Sequence, residues 1–332
     1  MNLVKKDKED YLNFVLCFDS NYNNVAYLFL HTLLNKVDEY INIWIVHNNP
    51  DSFSDIKKVV ENYNYLNNIN VFKFDVDLSI FPGITHGHIS EATYYRFFLD
   101  RYIPKDLDFI LYVDADIICH KNPLNLIRSD IEKMRKSNYI LSARTEVFKE
   151  KIIEPHWERL GLKGTRYFNA GVLLIDYQKW LNNEIPKKLL STMSEFKDIL
   201  LYWDQDILNM VVDDNFLEMN QYLNFDLFIN TDLNNLSPIN HFGQEALENM
   251  SLLHYTGSIK PWTVRGSFNK KARYFHDAYY ELFETKYWIK NTWRVAALSE
   301  LLKGILKFHI KNLRYPFSFI FYVLKSLFKN SQ

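Results

Sequence analysis

Residues 108–123 read DFILYVDADIICHKNP. Five apolar residues in a row, Phe109 to Val113, have the length of a buried strand, and the run ends abruptly in Asp114, Ala115 and Asp116. Side chains alternate along an extended backbone, so two aspartates two positions apart can face one side and share a cation. Hard carboxylate oxygens suit Mg²⁺ or Mn²⁺. The same pair is also consistent with solvated acids at a strand end, so the meaning of Asp114 and Asp116 rests on what surrounds them.

Working outward, similar short runs occur at residues 11–18 (YLNFVLCF), 41–47 (INIWIVH) and 69–74 (INVFKF). Between them, residues 24–36, 52–64 and 90–101 repeat apolar side chains at three and four, as helices do. Alternation of this kind predicts an α/β fold with a mostly parallel central sheet, covered on both faces. Ligands in such folds gather beyond the carboxyl ends of the strands, which is where Asp114 and Asp116 would lie.

Composition narrows the chemistry. The chain has 332 residues, is 48% hydrophobic and carries a formal net charge of −1, which fits a folded globular protein. None of the nine glycines falls in GxGxxG or GxxxxGK, so a dinucleotide fingerprint and a P-loop are excluded, and HExxH and GxSxG are missing as well. Cys17 and Cys119 are the only cysteines and have no ligand-like spacing. Neither a disulfide framework nor a secretory leader is expected, which points to a cytoplasmic protein.

Further polar groups stand at the ends of apolar runs. In LLHYTGSIKPW (252–262), His254 offers a nitrogen ligand that would favour Mn²⁺ over Mg²⁺, Gly257 permits close backbone approach to a phosphate, and Lys260 brings a point charge. A histidine of this kind is also often just a satisfied core group. Asn169 opens the strand-like RYFNAGVLLID (166–176), and Asp204, Gln205 and Asp206 front a helix-like stretch, where the carboxylates could simply cap the helix or Asp204 and Gln205 could grip sugar hydroxyls. HISEATYYRFFL (88–99) adds His88 and Arg96. CFDSNY (17–22) ends the first strand, and its Asp19 and Tyr22 suit a flat base with a ring N–H, although the same residues make an ordinary turn and cap.

In order along the chain, CFDSNY, HISEATYYR, YVDAD, YFNAGVLLID, DQDILN and HYTGSIKPW resemble glycosyltransferase family 8, the retaining family that includes bacterial lipopolysaccharide α-glucosyl- and α-galactosyltransferases and glycogenin. The resemblance implies a GT-A fold over residues 1–265, a UDP-hexose donor, and Mn²⁺ held by Asp114, Asp116 and His254. It implies that Cys17, Asp19, Asn21 and Tyr22 hold the uridine, that Ala115 lies beneath the ribose, and that Gly257 and Lys260 hold the diphosphate. His88, Arg96, Asn169, Ala170, Asp204 and Gln205 would complete the donor site. Gln205 stands where a nucleophile would be sought, so the expected reaction is a same-face substitution supported by Gln205, Asp204 and Asp116. The expected acceptor is a lipopolysaccharide or related glycan or glycolipid. A glycogenin-like or protein-directed glucosyltransferase, or a silent nucleotide-sugar-binding protein, would share the same donor site.

The C-terminal stretch differs electrically from the rest. Residues 286–332 hold nine Lys or Arg and one acid, Glu300. Leu298, Leu301, Leu302, Ile305 and Phe308 fall on one helical face, with Lys303, Lys307, Lys311 and Arg314 opposite. An apolar stripe backed by a basic one predicts an extension, residues 266–332, lying on the anionic inner face of the cell membrane. A helix docked on the body would show the same stripe. No nucleic-acid-binding motif accompanies the basic residues.

Overall fold

A computed structural model describes residues 11–82, 90–146, 157–227, 249–290 and 294–328. A seven-stranded sheet runs through the centre. Its strands are β1 (Leu12–Phe18), β2 (Ile41–His47), β3 (Leu66–Lys73), β4 (Phe109–Val113), β6 (Leu141–Thr145), β7 (Phe168–Asp176) and β8 (Leu217–Glu218), while β5 (Ile117–Cys119) belongs to a second sheet. The spatial order is β3-β2-β1-β4-β7-β6-β8. β3, β2, β1 and β4 pair in parallel, β7 runs against both β4 and β6, and β8 follows β6 in parallel.

The two-residue period of β1 divides its side chains between two cores. Leu12, Phe14, Leu16 and Phe18 pack with the helices Asn23–Leu34 and Leu124–Arg135 on one face. Val15 and Cys17 turn to the other, beneath Tyr94 to Phe98 and the helices Ile185–Phe196 and Trp203–Val212. All seven β1 residues are buried, which explains why the strand reads as apolar with no polar alternation apart from Asn13, whose oxygen accepts from Asn42 and Trp44.

The reversed strand positions the site. Because β7 is antiparallel, Val172 at its middle lies opposite Val113 at the end of β4, and its first residues run on past that end. The backbone N–H of Asp114 donates to the Gly171 carbonyl at 2.8 Å. A smaller sheet then brings in the distant histidine. β5 pairs antiparallel with β10 (Leu252–His254), which places Ile117 opposite His254, and β9 (Phe225–Asp226) flanks β10 in parallel.

The helix Arg273–Phe283 packs on the body through Phe275, Ala278 and Tyr279, against Val25 and Leu28 of the first helix. Two further helices, Arg294–Leu306 and Pro316–Phe328, form a separate cluster with Val264, Phe268, Tyr287 and Ile289. Only part of the expected stripe is used there. Ala297 and Leu301 are buried, whereas Leu298, Leu302, Ile305 and Phe308 are exposed, Phe308 at 73%. Gly304 lies against Phe268 so closely that a Cβ would sit 2.2 Å from its ring. Among the described residues no helix is long and apolar enough to cross a membrane.

Candidate active site

Asp114 and Asp116 occupy a tight turn between β4 and β5; they do not lie on a straight strand, as simple alternation suggested. The turn still brings both carboxylates to one imidazole. His254 Nε2 lies 3.5 Å from Asp116 Oδ1 and 3.9 Å from Asp114 Oδ2, and one ligand atom from each of the three residues falls within 4.8 Å of the others. Two carboxylates and an imidazole form a donor set suited to Mn²⁺, with Mg²⁺ as the harder alternative.

Each acid has a cationic partner. Lys260 Nζ donates to Asp116 Oδ2 at 2.7 Å and to the Tyr255 carbonyl at 2.6 Å. Burial pushes the Asp116 carboxyl up, but Lys260 and His254 outweigh it and hold the group well below the usual carboxylate range. Burial pushes His254 down, but Asp116 and Asp114 hold its imidazole above the ordinary value. Asp114 accepts from Arg96 Nη2 and from the Tyr112 hydroxyl, both at 2.7 Å.

Arg96 joins the two halves of the site. It is 5% exposed, lies 4.0 Å over the Tyr112 ring, donates from Nη1 to the Ala170 carbonyl at 2.7 Å, and pairs through Nε with Asp204 Oδ2 at 3.1 Å. Asp204 therefore does not cap its helix. It is buried and also accepts from the Thr93 hydroxyl, and burial lifts its carboxyl to about 6 despite Arg96. Trp203 precedes it with φ 45°, a left-handed conformation that is costly for so large a side chain. Gln205 Oε1 accepts from the Ala170 N–H at 2.9 Å. Asp206 faces away: fully buried, it accepts from Arg159, the Tyr167 hydroxyl and the backbone N–H groups of Leu201 and Tyr202.

The remaining expected residues fall as follows. Asp19 caps the short turn Ser20–Tyr22 by accepting from the Asn21 N–H at 2.8 Å, the local role also open in the sequence. Tyr22 meets Trp262 edge-on at 6.0 Å. Cys17 is buried, which pushes its thiol up, and Ala115 is packed into the core. Gly257 has φ 76°, a conformation in which any other residue would be strained. Asn169 sits between Glu146, to which its amide nitrogen donates at 2.9 Å, and the Gly171 N–H, from which its oxygen accepts at 3.0 Å. His88 lies outside the described residues.

Several members of the site escaped sequence reasoning. Tyr112 and Thr93 lie inside motifs already singled out, and their hydroxyls could have been noticed. Asn224 and Glu146 carry no local signal. Neither does Lys290, which reaches across from the C-terminal region to donate to the Asn21 carbonyl at 3.2 Å.

Known proteins resemble this chain to differing extents. A Haemophilus influenzae relative is 30% identical over 223 residues, covering 64% of this chain and 63% of its own length. Lipopolysaccharide 1,2-glucosyltransferase of Escherichia coli is 26% identical over 275 residues, 78% of this chain and 75% of that protein. The crystal structure of galactosyltransferase LgtC, in complex with donor and acceptor sugar analogs, superposes with a TM-score of 0.65 at 25% identity, covering 82% of this chain and 96% of LgtC. The mixed sheet with its reversed strand is thus of the GT-A type. Residues 13–265, which hold every acid, amide and imidazole of the cluster described above, match the family model for glycosyl transferase family 8, and the chain belongs to that family.

Proposed function

We propose that this glycosyltransferase transfers glucose or galactose from a UDP-sugar, with retention of anomeric configuration, to a lipopolysaccharide or related surface glycan. The observation that carries the reading is the convergence of Asp114, Asp116 and His254 beside Arg96, Asn169 and Gln205. The named relatives, a lipopolysaccharide glucosyltransferase and a galactosyltransferase, support the donor and acceptor classes.

A divalent cation held by the two aspartates and the histidine, Mn²⁺ by preference, would neutralise charge gathering on the departing nucleotide. In this reading Lys260 and Gly257 receive the diphosphate, Asp19, Asn21 and Tyr22 the uridine, and Cys17 and Ala115 its surroundings. Arg96, Asn169, Ala170, Asp204 and Gln205 enclose the hexose and hold its anomeric carbon toward the acceptor hydroxyl.

Retention through a covalent intermediate would need a free carboxylate on the far side of the sugar. Asp204 is engaged by Arg96 and Thr93, and Asp206 is buried under four donors. Gln205 is a poor nucleophile. Both points favour a same-face substitution in which the leaving phosphate takes the acceptor proton and Gln205 gives electrostatic support. A glycosyl adduct trapped on Asp204 or Asp206 would overturn this route.

The exposed apolar side chains of the last two helices, including Leu302 at 59%, Leu306 at 76% and Phe317 at 86%, stand among Lys303, Lys307, Lys311 and Lys325. They support peripheral attachment to an anionic membrane surface, on the cytoplasmic side where nucleotide-sugars are made. The test of the whole reading is a panel of UDP-sugars with Mn²⁺, scored by UDP release with truncated core oligosaccharide or protein acceptors. One UDP-hexose should be turned over with the oligosaccharide and lost in Asp116→Ala; turnover only with protein acceptors would move the acceptor class to glycogenin-like substrates.

A further inference from the structure

We propose that Asn224 is a positioning residue that fixes the tautomer of His254 and ties it to the sugar pocket, with Gly171 supplying the space in which the ring lies; the proposal rests on the metal reading above. The orientation of the two carboxamides follows from a single backbone group. The Gly171 N–H can only donate, and it points to one end of the Asn169 side chain at 3.0 Å, so that end is the oxygen. The same oxygen lies 3.0 Å from the Asn224 carboxamide, which must therefore present its NH₂ there. The other end of Asn224, its oxygen, then faces His254 Nδ1 at 3.0 Å. Nδ1 carries the hydrogen and donates it, and Nε2 is the nitrogen turned to Asp116 and Asp114.

An imidazole that ligates a cation through one nitrogen is held by a hydrogen bond from the other, and loss of such a partner costs about 10–100-fold in metal affinity. Asn224 is 6% exposed, so no bulk water stands ready to replace it. Gly171 completes the setting. A Cβ built on it would lie 2.1 Å from His254 Cε1, 2.7 Å from Nδ1 and 2.9 Å from Nε2, so any larger residue would displace the ring. The glycine is required here for space. Asn169 extends the chain of amides to Glu146 at 2.9 Å, so the ligand of the cation and the wall of the sugar pocket form one hydrogen-bonded series.

The experiment titrates the full chain with Mn²⁺ alone and counts free Mn²⁺ by electron paramagnetic resonance, without donor or acceptor. Asn224→Leu and Gly171→Ala are expected to weaken binding by about tenfold or more. Asn224→Asp keeps an acceptor for Nδ1, so it should bind Mn²⁺ within a few-fold of wild type while raising KM for the donor at saturating metal, because Asn169 loses its donor. Melting in EDTA separates misfolded variants, and Asn224→Asp supplies the reading should Asn224→Leu fail to fold. Equal Mn²⁺ affinity in wild type and Asn224→Leu, with binding abolished in Asp116→Ala, would overturn the relay and leave the metal site standing. An Asn224→Asp protein as weak as Asn224→Leu would also overturn it. No Mn²⁺ bound by wild type would overturn both.

Discussion

The cluster around Asp114, Asp116 and His254 and the C-terminal helices treat charge and apolar surface in opposite ways. Around Asp114 and Asp116 the charged groups close on partners, most of them buried: Lys260 on Asp116, and Arg96 on Asp114 and Asp204. In the helices Arg294–Leu306 and Pro316–Phe328 the lysines stand in solvent, and Leu306 and Phe317 stand there with them. Burying paired charges is costly in desolvation and is retained where geometry matters more than stability. Exposing a run of large apolar side chains beside lysines makes sense as a surface meant to be covered. The first region satisfies its polar groups internally, whereas the second leaves apolar side chains without cover among the described residues.

The largest way to break this contrast is Asp116→Ala. It removes a proposed cation ligand and strands Lys260, so UDP release should fall by about 10³-fold, consistent with several kcal/mol of lost charge stabilisation. The parallel change in the extension, Leu306→Glu with Phe317→Glu, should leave UDP release with a soluble acceptor unchanged. If UDP release were to fall equally in both, the two regions would not be separable.

A second expectation concerns pH. Burial raises Asp204 to about 6, whereas an aspartate in the unfolded chain titrates near 3.8. Between these values the folded protein holds a proton that the unfolded chain has released. Stability from this group is therefore fully present below pH 3.8 and is lost as pH rises through 6. Asp204→Asn is always neutral and escapes the loss. Its stability relative to wild type should rise by about 2 kcal/mol from pH 4 to pH 7, measured by denaturant unfolding at each pH. A flat difference would mean that Arg96 already holds Asp204 ionised.

Smaller effects belong to the extension. Leu306→Glu with Phe317→Glu should reduce sedimentation with anionic vesicles by about tenfold, an effect expected of removing two buried apolar side chains from an interface. Binding that survives this change but vanishes in high salt would assign attachment to the lysines alone. Smallest of all is Lys58→Ala on the body, which removes an exposed pair with Asp55 at 2.8 Å and should move the melting midpoint by a degree or less.

Much of the fold was legible because burial on both faces leaves an unmistakable trace. β1 and β2 are wholly buried, and they read as mostly apolar runs in which Asn13, Asn42 and His47 are the polar members. Strand direction leaves no such trace, so the reversal of β7 was hidden, although it is what brings Asn169 and Ala170 beside Asp114. The stretch holding Arg96 was read as helical and does bury Tyr94, Tyr95, Phe97 and Phe98, but residues 91–98 wind as 3₁₀ turns, whose tighter pitch the three- and four-residue spacing does not distinguish. In the site, the acids and the histidine stood out because they end apolar runs. Asn224 did not, since an asparagine before a two-residue strand looks like any turn residue until β9 and β10 pair. The docked side of the extension was equally hidden. Leu298 and Leu301 share one stripe in sequence, yet Leu301 is buried in the cluster with Phe268, on which Gly304 also closes, while Leu298 stays exposed.

Lys260 has one further consequence. Its ammonium takes Asp116 through Oδ2 and leaves Oδ1 turned to the His254 ring. One carboxylate is thereby shared edge by edge between two neighbours, so truncating the lysine would leave Asp116 leaning on the imidazole alone.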